Sequence, residues 1–256
     1  MNANPAFLDA RTGLDGRTGR LAYEQVAGAG PGLVWLGGFR SDMRGSKAEF
    51  MESWARNHSR ASLRFDYTGH GESDGDFADG TIGQWTADAA HALTALTSGP
   101  QILVGSSMGG WIAMLLAQRH PDRVAGMVLI APAPDFTDAL MWANMDEATR
   151  QTLLTDGRLE TPSAYSDEPE IITRALIEDG RQHLVLGGTI PVNGPVRILQ
   201  GMKDEDVPWR HAARVLDCLD TDDIDFTLVK NGDHRLSTDA DLDRLGRTLE
   251  EITRQH

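Results

Sequence analysis

The sequence predicts an α/β fold with a mostly parallel, doubly wound sheet, organised as a single domain over residues 1–256. Short apolar segments that resemble buried strands alternate with helical segments along almost the whole chain, which is typical of βαβ units. A chain of this length can bury one large core. Hydrophobic residues make up 40% of the chain and charged residues 24%, the balance of a globular protein rather than a disordered one.

The predicted strands are short and mostly apolar. Residues 20–27 alternate between the two faces, so we expect a half-exposed strand at one edge of the sheet. Segments 32–36, 61–65, 102–105 and 126–130 have the apolar character of strands that are buried on both faces. Segments 195–200 and 225–229 continue this series.

Helical segments fall between the strands. Ser46 and Glu49 have the spacing of a capping box, which predicts a helix that begins at Ser46 and extends toward His58. Apolar residues at helical spacing predict further helices over residues 82–97 and 242–252. From about 136 to 191 the sequence is helical and irregular without a convincing strand, and we interpret it as a helical cap insertion over a site at the sheet edge.

The most specific motif is GSSMG at residues 105–109, between a predicted strand and a helical segment. G-x-S-x-G in this context is a nucleophile elbow, which is typical of the α/β-hydrolase fold. The turn is so tight that only small residues fit two positions before and after the nucleophile. Gly105 and Gly109 occupy those positions for Ser107, whereas larger residues would occupy them for Ser106. We therefore predict Ser107 as the nucleophile.

Two backbone N–H groups are candidates for an oxyanion hole, the pair of donors that stabilises the charged oxygen of an acyl-transfer intermediate. Met108 follows the nucleophile at the start of a helix, where N–H groups are unpaired. The second donor is expected in the loop after segment 32–36, and Phe39 is our candidate. Many esterases have His-Gly in this loop, whereas this chain has Gly37-Gly38. Backbone donation does not require the histidine.

A carboxylate and an imidazole should follow the nucleophile in the chain order serine, acid, histidine. Asp204 follows the strand after the cap, in the spacing D-x-x-V-P, and is the predicted acid. Asp206 in the same loop is the alternative. His234 follows the last predicted strand and is the predicted base. His70 lies in a glycine-rich turn, for which we expect a structural role.

Composition and motifs disfavour several other functions. The formal charge of −14 disfavours nucleic acid and anionic membrane surfaces as partners. No apolar segment approaches the length that spans a bilayer, so we expect no stable membrane insertion. With one cysteine and no paired-histidine or calcium-loop motif, we expect no metal and no other cofactor. Residues 1–19 lack the pattern of a signal peptide, and we expect a cytoplasmic protein.

Beyond these motifs, the sequence resembles the α/β-hydrolase-domain palmitoyl-protein thioesterases, which include the mitochondrial acyl-protein depalmitoylases and their bacterial relatives. The similar stretches cover most of the chain, cap included. They are residues 38–48, 64–67, 100–111, 161–166, 190–193, 201–204, 207–209 and 233–235. The resemblance also supports Ser107, Asp204 and His234 individually. The mitochondrial members carry a targeting leader that is not recognised here, so their compartment is not carried over.

The resemblance implies a small-molecule or protein-linked acyl thioester or ester, including S-palmitoyl cysteine and acyl glucuronides, as substrate. Met141, Trp142 and Met145 in the cap are candidates for an acyl pocket, with packing of the cap onto the core as the alternative. Two rival functions remain for the sequence. One is a C–C bond hydrolase of the same fold, and the other is a non-catalytic ligand receptor that has kept the fold. Acyl chain length and oligomeric state are not predicted.

Overall fold

A computed structural model describes residues 4–9, 19–161 and 169–254. Outside these ranges lie most of residues 1–19, and residues 162–166 of the stretch 161–166 that resembles the thioesterase family. In chain order the strands are β1 (Ala6–Asp9), β2 (Arg20–Val26), β3 (Ala29–Leu36), β4 (Arg60–Phe65), β5 (Gln101–Ser106), β6 (Val124–Ile130), β7 (Arg158–Thr161), β8 (Glu170–Thr173), β9 (Ile190–Pro191), β10 (Val196–Gly201), β11 (Leu219–Asp220) and β12 (Ile224–Val229).

The helices alternate with these strands. They are α1 (Ser46–Asn57), α2 (Ile82–Leu96), α3 (Met108–Arg119), α4 (Glu147–Asp156), α5 (Arg174–Gly180), α6 (Trp209–Ala212), α7 (Val215–Cys218) and α8 (Asp239–Thr253). Short 3-10 turns occupy Phe77–Asp79, Pro121–Arg123 and Arg181–His183, and a π-helical turn occupies Thr137–Trp142. None of the helices in the described ranges is long and apolar enough to cross a bilayer.

Eight strands form the central sheet in the order β1-β2-β4-β3-β5-β6-β10-β12. All neighbours from β4 to β12 are parallel, and β2 pairs antiparallel with both β1 and β4. The predicted α/β class is therefore confirmed. The prediction that residues 20–27 form the edge strand is wrong, because the four residues of β1 pair outside β2. A strand so short has too few alternating positions for its pattern to be recognised.

Helices cover both faces of the sheet, as the doubly wound class requires. On one face, α2 and α3 bury Trp85 and Trp111 in the larger core. On the other face, α1 and α8 bury Trp54 and Leu249 in a second core. The strands between these layers are apolar on both faces because neither face meets water. Strand β12 at the far edge is half exposed, unlike the buried strands beside it.

The expected capping box at the start of α1 is not formed. Gly45 is the N-cap, and Ser46 is the first helical residue. A capping box does form at α8, where the Thr238 hydroxyl accepts from the Asp241 N–H and the Asp241 carboxylate accepts from the Thr238 N–H. The spacing of Ser46 and Glu49 therefore predicted the start of α1 correctly, but it misidentified the N-cap residue.

The segment interpreted as a cap lies between β6 and β10. Its helices are α4 and α5, but the expectation that it contains no strand is wrong. Strands β7 and β8 pair antiparallel, with Arg158 opposite Thr173 and Leu159 opposite Ile172. Each has four residues, several of them polar, which gives too little pattern to recognise. A small core of Leu153, Ile172 and Ile177 holds this part of the cap together.

Candidate active site

The elbow after β5 has the backbone geometry that its motif predicts. Ser107 has φ of 53° and ψ of −115°, a conformation that side-chain-bearing residues rarely adopt. A Cβ atom at Gly105 would overlap the backbone of Gly109, and one at Gly109 would overlap the carbonyl of Leu36. Only glycine therefore fits at either position. The turn presents Ser107 at the carboxyl end of the strand and directly before α3.

Three distant side chains meet at this turn. The Ser107 hydroxyl oxygen lies 3.0 Å from Nε2 of His234, and Nδ1 of His234 lies 2.8 Å from Oδ2 of Asp204. In the matching tautomer, Nδ1–H donates to the carboxylate and the Nε2 lone pair faces the serine hydroxyl. The three predicted residues are thus brought into one hydrogen-bonded chain. Ser106, the alternative serine, is the last residue of β5.

The Asp204 carboxylate is buried and has a partner on every side. Oδ1 accepts from the backbone N–H groups of Asp206 at 3.1 Å and Val207 at 2.8 Å. Oδ2 accepts from the side-chain amide of Gln200 at 2.9 Å in addition to His234. Asp206, the alternative acid, contributes its backbone N–H, and its own side chain is exposed.

Sequence reasoning missed Gln200. This residue is fully buried near the end of β10, and its amide also lies within hydrogen-bond distance of the carbonyls of Gly201 and Val207. The amide therefore ties the strand end to the acid loop and to the carboxylate itself. One signal was available, since a polar residue in a strand that is buried on both faces requires a buried partner.

The loop that carries Asp204 is hydrogen-bonded to the loop that carries His234. The Lys203 N–H donates to the Gly232 carbonyl at 2.9 Å, so the residue before Asp204 is fixed to the loop that carries His234. A Cβ atom at Gly201 would overlap the carbonyl oxygens of Gly232 and Asp233. This close approach explains why the strand ends in glycine.

The predicted oxyanion donors lie on either side of the nucleophile. A Cβ atom built on Gly38 would lie 3.4 Å from Cβ of Ser107, so the loop that carries Phe39 runs against the elbow. Met108 is the first residue of α3 and is fully buried. We find no acceptor for the Phe39 or the Met108 N–H elsewhere in the described ranges. Both donors are thus available to a substrate oxygen.

The Phe39 side chain anchors its loop in an aromatic cluster. Its ring centroid lies 4.9 Å from that of Phe77, 5.9 Å from Trp85 and 5.7 Å from Phe136, each in edge-to-face geometry. Such pairs stabilise a fixed ring position beyond the effect of burial alone. Because Phe136 begins the cap segment, the cluster connects the oxyanion loop to the cap.

His70 packs against this cluster. Its ring packs edge-to-face against Phe77 and Trp85, with both centroid distances 5.1 Å, and Nδ1 lies 3.3 Å from the Thr68 carbonyl. Burial lowers the pKa of His70 to about 4, so the ring is neutral at pH 7. These contacts agree with the structural role expected for this residue.

The three proposed pocket residues pack within the cap. Trp142 and Met145 are half-buried against the cap core, and Met141 contacts both that core and the larger core below it. The guanidinium groups of Arg150 and Arg181 lie 5.3 and 4.6 Å from the centroid of the Trp142 ring. The packing interpretation thus accounts for the contacts of Trp142 and Met145. Only Met141 reaches the main core, so it is the one of the three that we retain as a pocket candidate.

One group of carboxylates and histidine could in principle hold a metal ion within the described part of the chain. It consists of Asp204, Asp206 and His234, whose ligand atoms lie within 4.8 Å of one another. In two of these residues the relevant atoms already hydrogen-bond to each other. The group is therefore the site described above rather than a separate one.

Comparison with known proteins identifies the family. Residues 38–179 match the family model described as Hydrolase_4, serine aminopeptidase S33. The chain is 37% identical to the mouse protein named "Palmitoyl-protein thioesterase ABHD10, mitochondrial" over 233 residues, which are 91% of this chain and 78% of that protein. The human protein of the same name is 36% identical over 91% of this chain and 76% of its own length.

Solved structures give the same result. Mouse alpha/beta hydrolase domain-containing protein 10 superposes with a TM-score of 0.88 at 35% identity, covering 99% of both chains. A protein from Agrobacterium vitis S4 superposes with a TM-score of 0.92 at 43% identity, over 98% of this chain and 99% of the other. The fold, the elbow and these similarities agree: the chain is a serine hydrolase that belongs to the α/β-hydrolase family of palmitoyl-protein thioesterase ABHD10.

Proposed function

We propose that this enzyme hydrolyses acyl thioesters and carboxylic esters with Ser107 as nucleophile, His234 as general base and Asp204 as the acid that orients the histidine. One observation carries the proposal, which is the continuous hydrogen-bonded chain from the serine hydroxyl through both ring nitrogens to a buried carboxylate. A hydroxyl next to an oriented imidazole is activated for attack on a carbonyl carbon.

The proposed reaction has two stages. His234 takes the Ser107 proton as the hydroxyl oxygen attacks the acyl carbonyl, and the Phe39 and Met108 N–H groups stabilise the oxyanion. His234 then delivers its proton to the departing thiolate or alkoxide, which leaves the acyl group on Ser107. Water activated by the same imidazole hydrolyses this acyl-enzyme and restores the serine.

The acyl class comes from the relatives. Proteins named as palmitoyl-protein thioesterases cover most of this chain, cap included, at 36–37% identity. We therefore propose a long-chain acyl thioester, such as S-palmitoyl cysteine, as the substrate class, with oxygen esters as further substrates. Among the residues that the structure describes, no contact favours the C–C bond hydrolase, and a separate assay with a vinylogous diketone would reveal that activity.

The test is hydrolysis of chromogenic ester and thioester substrates by the wild type, Ser107→Ala and Ser106→Ala. Loss of the nucleophile of a triad lowers turnover by a factor on the order of a million. We expect that loss for Ser107→Ala, whereas Ser106→Ala, one residue earlier in the strand, should keep turnover within about tenfold because its hydroxyl has no role in the proposed reaction. Equal hydrolysis by the wild type and Ser107→Ala would exclude the assignment.

The relatives are named as mitochondrial, and we propose a different location, the cytoplasm, for this chain. The chain has one cysteine and can form no intrachain disulfide, which supports a reducing compartment. Fractionation of the producing cells, with detection of the chain in each fraction, tests it. Recovery with the membrane or organelle fraction would contradict it.

A further inference from the structure

Lys47 is a half-buried cation beside the loop that carries His234. It occupies the second position of α1, and its ammonium donates to the carbonyl of Arg235, the residue directly after His234. In the sequence, Lys47 lies within residues 38–48, a stretch that resembles the thioesterase family, but the sequence alone indicated no role for it.

The surroundings of the ammonium are mostly apolar. Lys47 lines a small cavity together with five aliphatic side chains and two charged ones: Ile130, Leu199, Val229, Leu236, Leu245, Asp241 and Arg244. Burial lowers the pKa of Lys47 to about 8. The nearby charges oppose each other in part. Asp233 and Asp241 raise this pKa, whereas Arg235 lowers it.

We propose that Lys47 is a positioning residue that holds the His234 loop in register with Ser107 and Asp204. This inference rests on the proposed function of the triad. The first half of the loop is fixed by the Lys203 N–H on the Gly232 carbonyl. The Lys47 ammonium holds the second half through the Arg235 carbonyl. His234 therefore lies between two hydrogen bonds, one from Lys203 after β10 and one from Lys47 in α1.

The physical argument concerns distance. A charge-assisted hydrogen bond to a carbonyl is about twice as strong as a neutral one. Loss of this hydrogen bond removes a restraint between the Arg235 carbonyl and α1, so that the adjacent residue His234 is held less firmly. The ring must keep two hydrogen bonds of 3.0 and 2.8 Å at once. A shift of about 1 Å at a reacting group can lower the rate by about a hundredfold.

The first experiment compares Lys47→Met with Lys230→Met, using a soluble ester substrate. Lys230 is exposed at the start of the same loop, which makes it the matched control. We expect kcat to fall by about tenfold in Lys47→Met with KM within about twofold, because the ring acts in bond making and not in substrate binding. Lys230→Met should keep both constants.

The second experiment measures how kcat depends on pH. A lysine with a purely structural role would not alter this pH dependence. In the wild type, kcat should decrease as pH rises through about 8, because the ammonium loses its proton and the bond to the Arg235 carbonyl weakens. Lys47→Met should lack this decrease. Lys47→Arg keeps its charge at any working pH, so the decrease should be absent up to pH 9.

Each result has a definite meaning. A Lys47→Met enzyme with wild-type kcat and an unchanged alkaline limb overturns the proposal. So does a loss of kcat that matches the fraction unfolded, measured by circular dichroism. If Lys47→Met does not fold, Lys47→Arg decides, and a wild-type alkaline limb in that variant overturns the proposal. Loss of activity in Ser107→Ala together with normal Lys47→Met would remove this inference and leave the proposed function intact.

Discussion

At the scale of single residues, the proposed acid Asp204 is held by a neighbour that has no role in the proposed reaction. Gln200 is buried at the end of β10, and its amide donates to Oδ2 of Asp204. The same oxygen accepts from His234. The amide therefore limits how the carboxylate can rotate, and through it how the imidazole is held.

Gln200→Met should keep the volume of the side chain and remove its donor. We expect stability to fall by about 1–3 kcal/mol, because the carbonyl of Val207 and one carboxylate lone pair lose a buried partner. Turnover should also fall by about tenfold through misorientation of the carboxylate. Urea unfolding and ester hydrolysis measure the two effects. Gln151→Met on the exposed face of α4 is the control, and an equal effect there would contradict the prediction.

At the scale of elements, a buried carboxylate joins the start of the cap to its end. Asp135 lies at the start of the cap with φ of 57°, and it is 4% exposed. Its two oxygens accept from the backbone N–H groups of Val185 at 2.8 Å and Leu186 at 3.0 Å. One side chain therefore joins the segment that leaves the sheet to the segment that returns to it.

Asp135→Ala should weaken the attachment between the start and the end of the cap. Two buried N–H groups lose their acceptor, which costs about 1–3 kcal/mol for each group. Thermal unfolding should show a lower midpoint, and limited proteolysis should cut within the cap before the rest of the chain. Asp138→Ala, three residues later at a half-exposed ion pair with Arg181, is the control, because exposed pairs contribute little. Equal stability of both variants would contradict the assignment of this attachment.

At the scale of the whole molecule, stability should depend on pH through a buried carboxyl group that has no role in the proposed reaction. Asp66 at the end of β4 is buried, and it accepts from the N–H groups of Met43 and Glu72. Burial raises its pKa from 3.8 to about 6. A raised pKa in the folded state means that the folded chain holds this proton more tightly than the unfolded chain.

The contribution of Asp66 to stability should therefore be complete below about pH 4 and should be lost as pH rises through about 6. We expect the free energy of unfolding of the wild type, relative to Asp66→Asn, to decrease over this range by roughly 1.4 kcal/mol for each unit of the pKa increase. Urea titrations of both proteins at several pH values between 4 and 7 give this difference. A difference that is constant or increases with pH would show that burial does not control this group.

The sequence predicted the parts of the molecule that have strong local patterns. The buried strands and the elbow have such patterns, and chain order led to Asp204 and His234, which follow β10 and β12 in the structure. The roles of Gln200 and Lys47 could not be read in this way, because each depends on which distant backbone group lies opposite it in the folded chain. Strands β1, β7 and β8 were missed because four residues hold too little periodicity to distinguish a strand from a loop.

The cap leaves the sheet after β6, a strand that lies between those of the nucleophile and the acid and carries none of the three triad residues. Insertions, deletions and substitutions in the cap can therefore accumulate without altering the arrangement of Ser107 and Asp204 in the folded chain. Evolutionary change in the cap would therefore act on one continuous stretch of gene and leave in place the strands that carry Ser107 and Asp204.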